Sequence, residues 1–319
     1  MKAAVLHQFG SMPRYEDFPD PVAGDGEVVV EVKAVAVENV DKAVAAGTHF
    51  ATSQFLPRLP AIVGFDGIGA LPDGTLVGFA RPRPPYGALA ERTVVAMTNT
   101  IPAIVGIDPA VAVVLSSGIT GFAIKTAAGF LPGETVLIQG ATGVAGRLAI
   151  QVARILGAGR IIATGRDEAA LLEVSDLGAD TVINTTVSDD ELVRTFQDEA
   201  GDGYDVVLDF LWGRPTELLL KALVPNRLGS SKAVRLVQAG ESAGVTLSLA
   251  ADSVRTSGVE IYGVAKGLDA QTASDSYSKL VEWTLEGRLV FGIERAPLSE
   301  IETAWQRTDL KGRRLVIAP

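Results

Sequence analysis

Seven residues, Gly140-Ala141-Thr142-Gly143-Val144-Ala145-Gly146, stand between an apolar run with strand character, Thr135-Val136-Leu137-Ile138-Gln139, and helical spacing over Val144 to Leu156. Glycines at a strand–helix turn often serve backbone conformation alone. Here a second strand, Arg160-Ile161-Ile162-Ala163-Thr164, follows the helix, which is the context a dinucleotide fingerprint requires. In the six-residue frame Ala141 stands where the first glycine normally falls. Gly143 then lets the backbone approach a pyrophosphate, and Gly146 allows close helix–strand packing. Thr142 and Val144 complete the loop. The helix N-terminus supplies unpaired N–H groups and a positive dipole end for phosphates.

The end of the second strand selects the dinucleotide. Folds that choose NAD place Asp or Glu there to accept hydrogen bonds from the ribose 2′-hydroxyl. This chain has Thr164-Gly165-Arg166-Asp167. Gly165 removes repulsion against a 2′-phosphate, and Arg166 can fork onto it. One such charged hydrogen bond contributes ~1.5–3 kcal/mol, or roughly 10- to 150-fold in affinity. The expected cofactor is NADPH. A strand ending one or two residues later would turn Asp167 toward the ribose and favour NADH instead.

These residues need a scaffold. Residues up to about 112 read as β-rich, with Glu27 to Val37 the clearest strand and Gly- and Pro-marked turns around it. Asp108-Pro109 predicts a helix start, and Ala110 to Ala128 reads as one buried helix ended by Leu131-Pro132-Gly133-Glu134. Strand and helix then alternate: helix Glu168 to Leu177, strands Thr181 to Ile183, Asp205 to Asp209, Arg235 to Gln238 and Val259 to Gly263. This pattern predicts right-handed βαβ units and a parallel sheet covered on both faces. A helix over Gln271 to Glu286 and a strand over Arg314 to Ile317 close the chain. The expected plan is α/β: a β-rich catalytic domain over 1–112, a dinucleotide domain over 113–263, and a return to the first domain over 264–319.

Composition excludes several functions. The chain has 319 residues, no cysteine and two histidines, His7 and His49, so a tetrahedral zinc site would need both histidines and two carboxylates. No metal is expected, and no disulfide is possible. The net charge of −10 disfavours nucleic acid and anionic lipid. The nearest basic cluster, Arg81-Pro82-Arg83-Pro84-Pro85, reads as a stiff surface loop. No uninterrupted apolar run approaches the ~20 residues of a membrane span, and the N-terminus lacks a secretory signal. A cytoplasmic protein with no membrane partner is expected.

Several further stretches resemble landmarks of the medium-chain dehydrogenase/reductase superfamily, above all its zinc-free quinone oxidoreductase branch. Pro60 to Gly69 is similar to the segment in which zinc alcohol dehydrogenases carry Gly-His-Glu, with Phe65 in place of the metal-binding histidine. Gly87-Ala88-Leu89-Ala90-Glu91 is similar to a Gly-Gly-Tyr-Ala-Glu segment of quinone reductases. Ser117 to Gly121 resembles the helix whose threonine, here Thr120, lies near the nicotinamide ribose. Asp205 to Phe210 and Val237-Gln238-Ala239-Gly240 resemble the later cofactor-side strands, which adds Gly240 to the cofactor set. The resemblance covers essentially the whole chain. It implies a Rossmann doubly wound sheet inserted into a β-rich, GroES-like catalytic domain, and a homodimer.

Departures from the family fall where an acceptor would bind. Glu38-Asn39-Val40-Asp41 stands where quinone reductases often carry Asn-Pro-Val-Asp, so Glu38 takes the asparagine position and Asp41 is retained. His49 stands where the family often has tyrosine, and Tyr86 follows the proline loop. A Glu and a His facing a cleft can donate or relay a proton near neutral pH. A solvated carboxylate and a surface histidine are the plainer readings. The implied activity is hydride transfer from NADPH to a small electrophilic acceptor, a quinone. The alternative is C=C reduction of an α,β-unsaturated carbonyl. A non-catalytic NADPH-binding sensor or structural protein is the rival from another class.

Overall fold

A computed structural model describes residues 1–101, 106–225 and 232–319. Two compact units divide the chain, one formed by Met1–Ser116 with Gly292–Pro319 and the other by Ser117–Phe291.

The first unit is β-rich. Its strands are β1 (Lys2–Leu6), β2 (Arg14–Asp17), β3 (Glu27–Ala36), β4 (Ala61–Ile62), β5 (Asp66–Ala70), β6 (Leu76–Ala80), β7 (Arg92–Ala96) and β8 (Thr100–Ile101). The central strand β3 pairs antiparallel with β5 and β7, as expected for a run that is apolar along much of its length. Leu6, Val30, Val32, Val35, Leu89 and Val95 form much of the core of this unit.

The second unit carries β9 (Thr135–Gln139), β10 (Arg160–Gly165), β11 (Thr181–Asn184), β12 (Val206–Asp209), β13 (Val234–Gln238) and β14 (Val259–Gly263). All neighbours pair in parallel, in the order β11-β10-β9-β12-β13-β14 among the described residues. This is the order of a Rossmann sheet, which reverses direction between β9 and β12 and leaves a crevice at their carboxyl ends. Successive strand residues point to opposite faces. Leu137, Ile162, Val207 and Leu236 pack with Leu192, Phe196 and Leu219 from the helices Asp189–Ala200 and Gly213–Ala222. Val136, Ile138, Ile161 and Leu208 pack with Ala149, Ile150, Leu171 and Val174 from the helices Val144–Ile155 and Glu168–Asp176. Helices therefore cover both faces, as the strand–helix alternation predicts.

Two expectations are corrected. The single helix expected over Ala110 to Ala128 is a series of short segments, Pro109–Val114, Ser116–Ile119, Thr120–Phe122 and Ala123–Thr126. By length and mean hydropathy, 1.4, the stretch Pro109–Thr126 would pass for a membrane span, yet 61% of it is buried within the protein. The return to the first unit also comes later than expected, at Gly292 rather than residue 264. The reason is packing: on the helix Ala270–Leu285, Trp283 stacks on Phe122 with ring centroids 5.4 Å apart, and Leu280 is fully buried. The returning segment supplies β15 (Gly292–Pro297) and β16 (Arg313–Ala318), of which β16 pairs antiparallel with β3.

Candidate active site

At the end of β9 the chain turns sharply. Gly140 has φ +76°, a conformation that disfavours a side chain. Positive φ therefore falls at Gly140, not at Ala141, which the six-residue frame puts in the first glycine's place. Ala141 is fully buried and its N–H donates to the Thr164 carbonyl at 2.9 Å, tying the loop to β10. Gly143 is the N-cap of the helix Val144–Ile155 and no side chain caps that helix, so its first-turn amides are available to a ligand. Beside Gly143 a Cβ would meet only the Gly140 oxygen, at 3.6 Å, which leaves the approach open. At Gly146 a Cβ would lie 2.5 Å from that oxygen and 2.6 Å from Ala141 Cα. Arg147 holds the loop from outside, its Nε donating to the Thr142 carbonyl at 3.0 Å while Nη2 pairs with Glu173 at 2.6 Å.

β10 ends at Gly165. A Cβ there would meet the Thr142 methyl at 2.6 Å and Leu171 Cδ2 at 2.9 Å, so an acidic side chain has no room without rearrangement. Arg166 is exposed and makes no hydrogen bond or ion pair among the described residues. Asp167, the residue that would favour NADH, caps the helix Glu168–Asp176: its Oδ1 accepts from the Ala170 amide at 2.9 Å.

On the other side of the sheet reversal, fully buried Asp209 ends β12. Its Oδ1 accepts from the amides of Leu211 and Trp212 at 2.9 and 3.1 Å, and its Oδ2 from the Thr216 hydroxyl at 2.6 Å. Burial raises its carboxyl above the usual range, with those three donors opposing the shift. Trp212 sits at φ 55°, ψ −165°, at the edge of a region essentially reserved to glycine. Such backbone costs on the order of 1–3 kcal/mol and persists only where its surroundings impose it. Gly240 approaches the same turn, where a Cβ would meet the Phe210 carbonyl oxygen at 2.8 Å. Thr120 lies in the 3₁₀ segment Thr120–Phe122, its hydroxyl donating to the Ser117 carbonyl at 2.9 Å.

In the first unit, Glu38 is the N-cap of the helix Asn39–Ala46. Asp41, 5% exposed, accepts from the Glu38 amide at 2.8 Å and from the Phe65 amide at 3.1 Å. Arg314 on β16 pairs with Glu38 at 3.4 Å. Burial and then the Glu38 charge push the Asp41 carboxyl up to about 7, against its two amide donors and Arg314. Asp66 is raised well above the carboxylate range by burial and by the charges of Glu38 and Asp41, with Arg314 opposing. Asp41, Phe55, Val63, Phe65 and Tyr86 line a narrow pocket. The Tyr86 hydroxyl is committed to the Asp20 carbonyl at 3.2 Å, so Tyr86 offers the pocket mainly its ring. His49 does not line it: its ring lies 4.5 Å from that of Phe50, and Nδ1 accepts from the Ala51 amide at 3.3 Å. Among the described residues no group of three or more His, Asp or Glu could hold a metal ion.

A family model described as zinc-binding dehydrogenase matches residues 145–226. The chain is 28% identical over 247 residues to an NAD-dependent alcohol dehydrogenase of Sulfolobus acidocaldarius, covering 66% of this chain and 71% of that one. It is 26% identical over 368 aligned positions to the probable NADPH-dependent quinone reductase tdiC of Emericella nidulans, covering both chains entirely. The solved quinone oxidoreductase of Thermus thermophilus, described also in complex with NADPH, superposes with TM-score 0.78 at 26% identity over all of both chains. These likenesses support the medium-chain dehydrogenase/reductase superfamily. Within it they point to the quinone oxidoreductase-like branch.

Sequence reasoning missed Asp66, Arg314 and Asp209 as site residues. Asp66 carried a signal, being a charge between Phe65 and the Gly67-Ile68-Gly69 run of a buried strand. Arg314 carried none, because it meets Glu38 only through the pairing of β16 with β3.

The raised pKa of Asp41 has a measurable consequence. The folded carboxyl titrates above its ordinary value of 3.8, so its contribution to stability is complete below about pH 4 and is lost as pH rises through about 7. A tenfold change in acidity corresponds to about 1.36 kcal/mol, so the loss is roughly 4 kcal/mol. Urea unfolding between pH 4 and 8 should show a falling stability that is flattened in Asp41→Asn. Equal pH slopes in both proteins would refute the assignment.

Proposed function

We propose that this chain is an NADPH-dependent oxidoreductase that reduces a quinone without zinc. The observation that carries the reading is the end of β10: Gly165 admits no acidic side chain, Asp167 is engaged as a helix cap, and Arg166 is unpaired among the described residues. The quinone reductase of Emericella nidulans and the Thermus thermophilus enzyme, both tied to NADPH, support it. The NAD-dependent Sulfolobus relative makes the cofactor control essential. The residues fit the cofactor, because the helix behind Gly143 is uncapped and the space beside Gly143 is open.

NADPH supplies the hydride when bound. The amides after Gly143 hold its pyrophosphate, and Arg166 holds the 2′-phosphate. Phe55, Phe65 and the Tyr86 ring offer an apolar wall for a planar acceptor. Asp66 makes no hydrogen bond or ion pair among the described residues and stays protonated higher in pH than an ordinary carboxyl. Asp41 lines the pocket, has its carboxyl raised to about 7 and holds Phe65 in place, so it is the carboxyl placed to protonate an acceptor oxygen gaining negative charge.

The test is NADPH oxidation followed optically with a 1,4-quinone and a 2-alkenal in parallel, with NADH as control. The quinone should turn over faster, and NADPH should exceed NADH by about 10- to 150-fold in kcat/KM. A faster alkenal would establish the C=C reductase reading. Tight NADPH binding with no turnover on either would establish the sensor.

A further inference from the structure

The strained turn after β12 and the glycine loop after β9 are tied together by one buried chain of hydrogen bonds. Gln139, fully buried, is the last residue of β9, immediately before Gly140. Its Nε2 donates to Thr216 Oγ1 at 3.1 Å, and that hydroxyl donates to Asp209 Oδ2 at 2.6 Å. Because the Thr216 oxygen accepts from Gln139, its own hydrogen is directed at the carboxylate. The other Asp209 oxygen takes the Leu211 and Trp212 amides. Gln139 Oε1, by contrast, has no hydrogen-bond partner among the described residues. A leucine would fill similar space with no orphaned acceptor. What the amide adds is the orientation of Thr216.

The pinned turn lies over the glycine loop. A Cβ on Gly140 would meet Leu211 Cδ2 at 2.9 Å and Phe210 Cβ at 3.4 Å. The two loops flank the point where the sheet order reverses, the place where parallel α/β sheets bind ligands. Trp212 stays in backbone territory that suits glycine while both amides of the turn end on Asp209.

We propose that Asp209 is a positioning residue for the dinucleotide: by holding the strained Phe210–Trp212 turn against Gly140, it fixes one wall of the cofactor groove. The proposal rests on the dinucleotide reading of the glycine loop. Without the carboxylate, Trp212 relaxes to negative φ and the turn leaves Gly140. If residue 212 were glycine, the same conformation would carry little strain, and the turn would depend far less on Asp209.

A double-mutant cycle tests this, read as NADPH affinity by cofactor fluorescence on the intact protein below its melting temperature. Asp209→Ala should weaken NADPH binding about 30-fold. In a Trp212→Gly background the same change should cost less than about 3-fold, because the strain that Asp209 opposes is gone. In steady-state kinetics the loss should fall on the KM for NADPH, with kcat at saturation retained. Should Asp209→Ala fail to fold, Asp209→Asn replaces it in the cycle. It keeps one acceptor oxygen for the turn amides but meets the Thr216 hydroxyl with N–H groups, and a smaller loss, again abolished by Trp212→Gly, is expected. Equal losses in the two backgrounds would mean a merely structural role, and no loss in either would also overturn the proposal. Absence of NADPH binding by the unmodified protein would instead refute the cofactor reading beneath it.

Discussion

Gly146→Ala is expected to weaken NADPH binding at least about 100-fold. The added methyl would sit 2.5 Å from the Gly140 carbonyl oxygen and 2.6 Å from Ala141 Cα. Both are backbone atoms of the loop itself, so no side chain can swing aside. Relief requires the helix Val144–Ile155 to move away from the loop, or the loop to unfold from it. Overpacking of this kind costs typically about 1–3 kcal/mol and sometimes more. Either movement also carries the first-turn amides away from the pyrophosphate, and a misplacement of about 1 Å can cost roughly 100-fold. Fluorescence titration with NADPH alongside a thermal melt checks this. Unchanged affinity would mean that the cofactor does not use this helix end. The same substitution at Gly143, where a Cβ finds only one atom at 3.6 Å, should disturb the fold far less.

Arg166→Ala is expected to lower kcat/KM with NADPH by about 10- to 150-fold, the worth of one charged hydrogen bond to the 2′-phosphate. With NADH, which lacks that phosphate, the change should stay within about 2-fold. The guanidinium is exposed and unpaired among the described residues, so its removal breaks no internal contact and the melting temperature should not move. Equal losses with both cofactors would show that Arg166 acts elsewhere than on the phosphate. Gly165→Asp, the obvious route toward NADH, should fail as a specificity switch. Its Cβ would strike the Thr142 methyl at 2.6 Å and Leu171 at 2.9 Å before any carboxylate reached a ribose.

The parallel sheet is legible in the sequence for a local reason. Strands buried on both faces are short continuous apolar runs, and β9, β10 and β12 lie within one residue of their expected bounds. The strand β15 was not readable. It is a sheet edge of sequence Gly-Ile-Glu-Arg-Ala-Pro, with no residue buried along its length, so no apolar run marked it. The helix Ala270–Leu285 was recognised by its spacing but assigned to the wrong unit, because spacing reports that a face is apolar and not what covers it.

From sequence by itself came the glycine loop, the acid-free end of the second strand, the lack of cysteine and the two-part plan of the chain. Each is a property of neighbouring residues or of composition. Only the tertiary structure decided that Gly140 makes the turn, that Asp167 is engaged as a cap, and that His49 lies outside the pocket. It also gathered Glu38, Asp41 and Asp66 around Arg314, which bonds to the Val37 carbonyl across 277 positions of chain. Burial and charge proximity set the acidity of a carboxyl. Both depend on strand register and pairing between distant segments, which local periodicity does not encode.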